Sequence, residues 1–266
     1  MKLDVERINK IIACPNCKAH LSLVESQDSV CGSCRQSYGW LTHTWNLIPS
    51  SWNESSDLWS AWEQLQENGV VSYKEDPEHN LNVGKRQVSI DFSRFCKFDG
   101  LVLDVGCGPQ AWPSHFETYT EETRFVGVDP LVGDSPSDYT QFRALAEYLP
   151  FHDAVFDHVI FATSLDHFID PVPALVEARR VCRPEGSIDI WVGEKSPDAP
   201  KPAVSPDWYN RLKKPEGAED VFHFKRLSAA DTDELINRAG LHVVKKEVHE
   251  VDQYRSNHFF KLQVKR

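Results

Sequence analysis

Residues Leu101 to Gln110 read LVLDVGCGPQ. The apolar residues Leu101, Val102 and Leu103 lead into an acid, Asp104, and glycines follow at alternate positions, Gly106 and Gly108. Such a run predicts a buried strand that feeds a tight turn. Glycine opens the backbone to a ligand that a Cβ would hold off, and a helix expected from about Pro109 would offer free N–H groups in its first turn. A ligand bound here is expected to lie against main chain.

Two cofactor classes use a loop of this kind. Gly106, Gly108 and Ala111 satisfy the dinucleotide pattern G-x-G-x-x-G/A, with Asp129 about twenty residues on as a ribose acceptor. Asp104 argues against that class, because a carboxylate two residues before the first glycine opposes the charge of a pyrophosphate. It suits a cofactor that carries an ammonium group and a sulfonium. At these residues the sequence resembles the class I S-adenosylmethionine-dependent methyltransferases, whose first motif reads D-x-G-x-G. Many members carry a third glycine where this chain has Gln110, so the last turn of the loop is expected to differ. The bland alternative is a strand-turn-helix corner that binds nothing.

The resemblance extends from Leu101 to Arg266 and implies a set of site residues. Asp104 would hold the amino group of the methionine moiety, and Gly106, Cys107 and Gly108 would let the cofactor lie on the loop. Asp129, followed by Pro130, would accept hydrogen bonds from the ribose hydroxyls. The stretch Ala144 to Phe151, ALAEYLPF, is similar to the family's D-A-E-x-L-P-F segment beside the adenine, which brings in Ala146 and Glu147. Leu145 stands where the family often has an acid for the adenine amino group, so Glu147 or a backbone carbonyl would have to replace it. Thr163 and Ser164 would reach the methionine end, and Asp166 and His167 would face the transferable methyl. An imidazole titrates near neutral pH and can take a proton from a hydroxyl acceptor, with Asp166 to orient it. Methyl transfer itself asks for alignment more than for charge stabilisation.

The first fifty residues carry a different pattern. Cys14-Pro-Asn-Cys17 and Cys31-Gly-Ser-Cys34 are two C-x-x-C knuckles, whose four thiolates can complete a closed tetrahedral site. Soft sulfur ligands favour zinc, and a closed set leaves it a structural role. Leu21, Leu23 and Val30 suggest short ribbon strands between the pairs. The segment resembles the zinc ribbons that precede or activate several methyltransferases. Cys96, Cys107 and Cys182 stand alone and are expected to pack as small hydrophobes.

The chain has 266 residues, 41% hydrophobic and 11% aromatic, enough for one large domain and a small satellite. Its formal net charge of −11 disfavours a broad nucleic-acid-binding face. No apolar stretch is long enough to span a membrane or to serve as a signal peptide, which predicts a cytoplasmic protein without membrane insertion.

Between the ribbon and the glycine loop, Ser51 to Ser56 is polar. Leu58, Trp59, Trp62 and Leu65 then mark a helix over Asp57 to Asn68 with Ser56 as N-cap, and Tyr73 to Leu81 reads as a loop or lid. From Leu101 strands and helices alternate. Strands are expected at Phe125 to Asp129, Arg143 to Ala146, Phe156 to Thr163 and Ser187 to Val192, with a helix over Pro171 to Val181. A helix Ala229 to Ala239, capped by Ser228, and two strands at Leu241 to Val251 and Asn257 to Val264 close the chain. Alternation of this kind gives a mainly parallel sheet with an antiparallel C-terminal hairpin.

These readings combine into an α/β chain: a zinc ribbon over residues 1–50, a helical connector and possible lid over 51–98, and a class I methyltransferase domain over 99–266. The domain is expected to be a Rossmann-like, doubly wound, mainly parallel sheet of seven strands. The expected reaction is O-methylation of a small polar acceptor such as a sugar, a nucleotide-linked sugar or a cell-surface polysaccharide precursor. A ribosomal RNA base methyltransferase that grips RNA with its ribbon is the second reading, and a non-catalytic activator of another methyltransferase the third. Oligomeric state and acceptor identity leave no trace in the sequence. Glu194, Trp208, Tyr209, His223 and Lys225 fall on loops expected to face the substrate.

Overall fold

The computed structural model describes residues 2–50, 57–77, 86–133, 135–200 and 205–264. A seven-stranded sheet forms its centre, in the order β5-β4-β3-β6-β7-β9-β8. The strands are β3 (Leu101–Val105), β4 (Arg124–Asp129), β5 (Thr140–Arg143), β6 (Phe156–Ala162), β7 (Cys182–Lys195), β8 (His242–Asp252) and β9 (Arg255–Gln263). β3 to β7 run parallel, while β9 pairs antiparallel with both β7 and β8. The chain steps from β3 outward through β4 to β5, then returns to the other side of β3 as β6. That reversal opens a crevice beyond the carboxyl ends of β3 and β6, the place where such sheets bind ligands.

Local chemistry explains the flanking helices. The helix Pro171–Val181 starts with prolines in its first turn and with Asp170 accepting from the Val172 N–H at 3.0 Å. The helix Ala229–Arg238 has a capping box, in which Ser228 and Asp231 satisfy each other's backbone N–H groups. Leu175, Ala178 and Val181 of the first and Ile236 of the second are buried against the sheet. On another side Phe92, Phe95, Phe98, Phe116, Phe125 and Phe259 build an aromatic core, with Phe116 and Phe125 stacked at 3.8 Å between centroids. No helix among the described residues is long and apolar enough to cross a membrane.

The N-terminal segment is not packed as a separate body. Its helix α1 (Val5–Ile11), the pair β1 (Ser29–Val30) and β2 (Ser37–Tyr38), and the side chains of Ile8, Ile12, Leu21 and Leu47 share one apolar core with Phe142 and Phe151. Backbone bonds stitch the two together. The Leu47 N–H donates to the Arg143 carbonyl at 2.7 Å, and the Arg143 N–H donates to the Trp45 carbonyl at 3.1 Å.

Four expectations need correction. No helix follows Gly108, because Pro113 interrupts the short segment and Trp112 and Phe116 turn inward onto Phe125 and Tyr139. The third parallel strand is Thr140–Arg143, and Ala146–Tyr148 is instead a 3-10 turn. The connector helix, α2, is Asp57–Glu75, so Tyr73 lies on a helix where a loop was expected. Leu21 and Leu23 pack in the core without joining a strand, and only Ser29–Val30 pairs, with Ser37–Tyr38. The polar stretch 51–56, with the cap expected at Ser56, and the remainder of the lid, 78–81, lie outside the described residues.

Ile12 is fully buried where the N-terminal segment meets Phe151, with the two residues in a β-bridge. Ile12→Ala should therefore cost about 2–5 kcal/mol. Denaturant unfolding should register this as one earlier transition of the whole chain, and a separate melting of the N-terminal segment would contradict the shared core.

Candidate functional site

The crevice at the strand reversal is a cleft of about 280 Å3 walled by the glycine loop, the ends of β4 and β6, and helix α2. Gly106 and Gly108 both take positive φ, +79° and +69°, as the turn off β3 requires. A Cβ on Gly106 would overlap the Ser164 side chain, and the Ser164 Oγ donates to the Val105 carbonyl at 2.6 Å. The ends of β3 and β6 are thus locked together. Cys107 is buried, and its sulfur lies under Gly127, where a Cβ would come within 2.7 Å of it.

Asp129 ends β4 and fixes the loop. Its Oδ2 accepts from the Gly108 N–H at 2.8 Å and its Oδ1 from the Leu131 N–H at 2.7 Å. Burial raises its pKa to about 7 in spite of these two donors. Gln110, in place of a third glycine, donates through Nε2 to the Cys107 carbonyl at 3.2 Å and so closes the turn from within. Its Oε1 is buried with no partner among the described residues, and Gln110 lines the cleft. Gln141 donates to the carbonyls of Gly108 and Gln110, both at 3.3 Å, and braces the loop from β5. No sequence pattern marks Gln141, because its partners are brought to it only by the sheet.

Asp104 departs from the role expected of it. It is fully buried on β3 and does not line the cleft, and its Oδ2 is 2.9 Å from the Nε2 of His115. His115 does line the cleft. The other carboxylate oxygen, Oδ1, has no partner among the described residues. His115 was not singled out from sequence, since the segment holding it was expected to be a plain helix.

The remaining expected residues gather around the same cleft. Pro130, Ala146, Glu147, Thr163, Ser164 and His167 all line it. Pro130 accepts from Arg143 Nε at 3.0 Å through its carbonyl. Glu147 is buried and its Oε1 receives the N–H groups of Ile169 and Asp170 at 3.1 and 3.3 Å, so this oxygen holds the loop after β6. Burial raises its pKa. Thr163 adopts φ +56° at the turn off β6, a conformation a β-branched residue rarely takes. Helix α2 closes the top: Trp62 Nε1 donates to the His167 carbonyl at 3.2 Å, and Asn68 Nδ2 holds the carbonyls of Lys213 and Val221 at 2.8 and 2.6 Å.

Beyond Ser164, Asp166 and His167 meet His223 from the loop before the last helix. The two imidazoles are 4.3 Å apart between centroids. His167 Nδ1 faces the Phe222 carbonyl at 3.3 Å, and partial burial lowers its pKa. His223 belonged to the expected substrate-side residues and joins the group. Glu194 and Lys225 are engaged elsewhere: Glu194 accepts from the Ala229 N–H at 2.9 Å and Lys225 pairs with Asp231. Trp208 and Tyr209 pack edge-on against each other outside the cleft lining.

The four paired cysteines also converge. Cys14 and Cys34 sulfurs are 3.6 Å apart, as are those of Cys17 and Cys31, and all four lie within 4.8 Å of one another.

Residues 103–190 match the family described as a methyltransferase domain. Over those residues the chain is similar to that family. An uncharacterized methyltransferase of Schizosaccharomyces pombe is 33% identical over 112 residues, which span 36% of this chain and 40% of that protein. Among solved structures, the Burkholderia thailandensis 1,6-didemethyltoxoflavin-N1-methyltransferase overlays with a TM-score of 0.56 at 13% identity, covering 90% of this chain and all of that one, 100%. A chain from the complex between the Haloferax volcanii Trm112 methyltransferase activator and a methyltransferase overlays with a TM-score of 0.51 at 15% identity, covering 77% of this chain and 98% of that chain. At these identities the overlays establish the fold of the methyltransferase domain and nothing finer.

The Asp129 carboxyl gives the cleft a pH signature. A hydroxyl donates more strongly to a carboxylate than to the protonated acid, so binding of a ribose there would favour the charged form. Affinity for a ribose-bearing cofactor should rise with pH through about 7 and fall by roughly tenfold for each unit below it. Calorimetric titrations between pH 8 and 6 would show this slope, and a flat profile would remove Asp129 from the binding site.

Proposed function

We propose that the chain is an S-adenosylmethionine-dependent methyltransferase that methylates a hydroxyl of a small polar acceptor. One observation carries the reading. The Asp129 carboxylate and the Cβ-free backbone of Gly106 and Gly108 face one cleft that His167 also lines, with Asp166 beside His167.

The cleft fits the cofactor in several respects. Gly106, Cys107 and Gly108 leave backbone open for it, and Asp129 supplies acceptors for the ribose hydroxyls. The unpartnered Oε1 of Gln110 offers a further acceptor. Asp104 acts through His115, which is the group nearer the ligand. Leu145, Ala146 and Glu147 form the wall expected for the adenine, and Thr163 and Ser164 the wall for the methionine end. The bound cofactor would supply an electrophilic methyl on a sulfonium. His167, whose lowered pKa favours the neutral ring, would receive the acceptor's proton at Nε2, while Trp62 of helix α2 holds the His167 carbonyl. Sugars and nucleotide-linked sugars are the acceptors to screen first.

The cysteine cluster fits zinc. A tetrahedral ion with Zn–S bonds of about 2.3 Å sets its sulfurs roughly 3.8 Å apart, close to the 3.6 Å found for two of the pairs. Zinc there would hold the N-terminal segment folded and take no part in the reaction.

Isothermal titration with S-adenosylmethionine and with its demethylated product should give micromolar binding. Asp129→Ala should weaken it by at least tenfold, and no binding by the folded protein would refute the cofactor. Elemental analysis should find one zinc per chain that Cys31→Ser releases, with a fall in thermal midpoint. A Cys31→Ser protein of unchanged metal content would refute the zinc site.

A further inference from the structure

Asp166, His167 and His223 present a second convergence of ligand atoms, apart from the cysteine cluster. His223 Nε2 is 3.6 Å from Asp166 Oδ2, His167 Nε2 is 3.9 Å from Asp166 Oδ1, and one ligand atom from each residue lies within 4.8 Å of the other two. The tautomers follow from the partners on the opposite ring nitrogens. His223 Nδ1 is 2.8 Å from Asp220 Oδ1, an acceptor, so Nδ1 carries the proton and Nε2 bears a lone pair. His167 Nδ1 is 3.3 Å from the Phe222 carbonyl, also an acceptor, which again leaves the lone pair on Nε2. With both rings neutral, two imidazole lone pairs and a carboxylate face one another, too far apart for hydrogen bonds, and a cation among them would satisfy all three.

The surroundings have the form of a metal site's outer support. Histidine ligands commonly donate their second N–H to a carboxylate or a backbone carbonyl, which fixes tautomer and ring angle. Asp220 does this for His223 and is itself held by the Phe222 and His223 N–H groups at 2.7 and 3.0 Å and by Arg226 Nε at 2.6 Å. His223 is 8% exposed by its side chain and cannot turn to solvent for a partner. His167 lines the cofactor cleft, while Asp166 lines a second hollow with Phe168, Phe224, Leu227 and Leu235.

We propose that Asp166, His167 and His223 bind one divalent first-row transition metal ion in the wall between the cofactor cleft and this hollow. Two imidazoles and one carboxylate suit zinc, manganese, iron or cobalt better than magnesium or calcium, which prefer oxygen alone. Three protein ligands leave coordination positions open for an oxygen of the acceptor. The site rests on its own geometry, and only its service to the acceptor rests on the methyltransferase reading. An ion and a proton compete for the same Nε2 of His167, so a bound ion makes His167 a positioning residue for the acceptor rather than its base.

Cobalt(II) titration of the zinc-replete full chain, followed by visible absorption, tests this. One equivalent should bind with the weak bands of a nitrogen and oxygen site and without the intense thiolate-to-cobalt absorption that exchange into the cysteine cluster produces. Asp166→Asn and His223→Gln should each weaken that binding by more than tenfold, with circular dichroism to verify that the fold survives, and either folded variant suffices. A spectrum from thiolate ligation alone, or binding unchanged in a folded variant, would overturn the site. An imidazolium bridging Asp166 and Asp220 in place of the ion would appear as no binding and would overturn it equally. Titration with S-adenosylmethionine on the same samples reads the cofactor separately, so failure of one proposal does not register as failure of the other.

Discussion

The absence of a side chain at Gly106 is the constraint on which the site depends. Where β3 and β6 end side by side, a Cβ on one strand would occupy the space that Ser164 fills on the other. With the two ends in contact, Ser164 reaches the Val105 carbonyl, Thr163 is forced to positive φ, and the following 3-10 turn Leu165–His167 swings Asp166 and His167 to the rim. One missing methyl thus sets where the backbone is bare and where polar chemistry gathers.

Around that contact the loop is held by groups of very different sequence distance. Asp129 and Gln141 both bind its backbone, one from the end of β4 and one from β5. Gln141 is a neutral amide, whereas the Asp129 carboxylate is costly to keep charged, since burial opposes its ionisation. Two backbone donors, the Gly108 and Leu131 N–H groups, offset part of that penalty.

Much of this was legible in the chain itself. The alternation after Leu101 gave the sheet, and the D-x-G-x-G and A-E-x-L-P-F runs placed nearly all the cleft-lining residues, because those motifs are local in sequence and local in space. The two C-x-x-C knuckles were equally plain. What escaped reading depends on contacts between distant segments. Trp112 and Phe116 look like ordinary helix residues until Phe125 and Tyr139 arrive to receive them. His115 gains meaning only when its segment folds back on Asp104, and the meeting of His223, itself an expected substrate-side residue, with His167 depends on the Asp220 turn. Tyr73 was assigned to a loop from the charges that follow it, yet α2 continues to Glu75, with Asn68 fastened to the carbonyls of Lys213 and Val221.

Arg143 receives the N-terminal segment on one side and the cleft on the other. Its backbone pairs with Trp45 and Leu47, while its guanidinium holds the carbonyl of Pro130, next to Asp129. A ligand that binds only the folded chain shifts its folding equilibrium by mass action. Because both sites belong to one packed core through contacts that include this strand, an ion among the cysteines and a molecule in the cleft would draw on the same equilibrium. A chelator and a cofactor would then be antagonists acting at opposite ends of four residues.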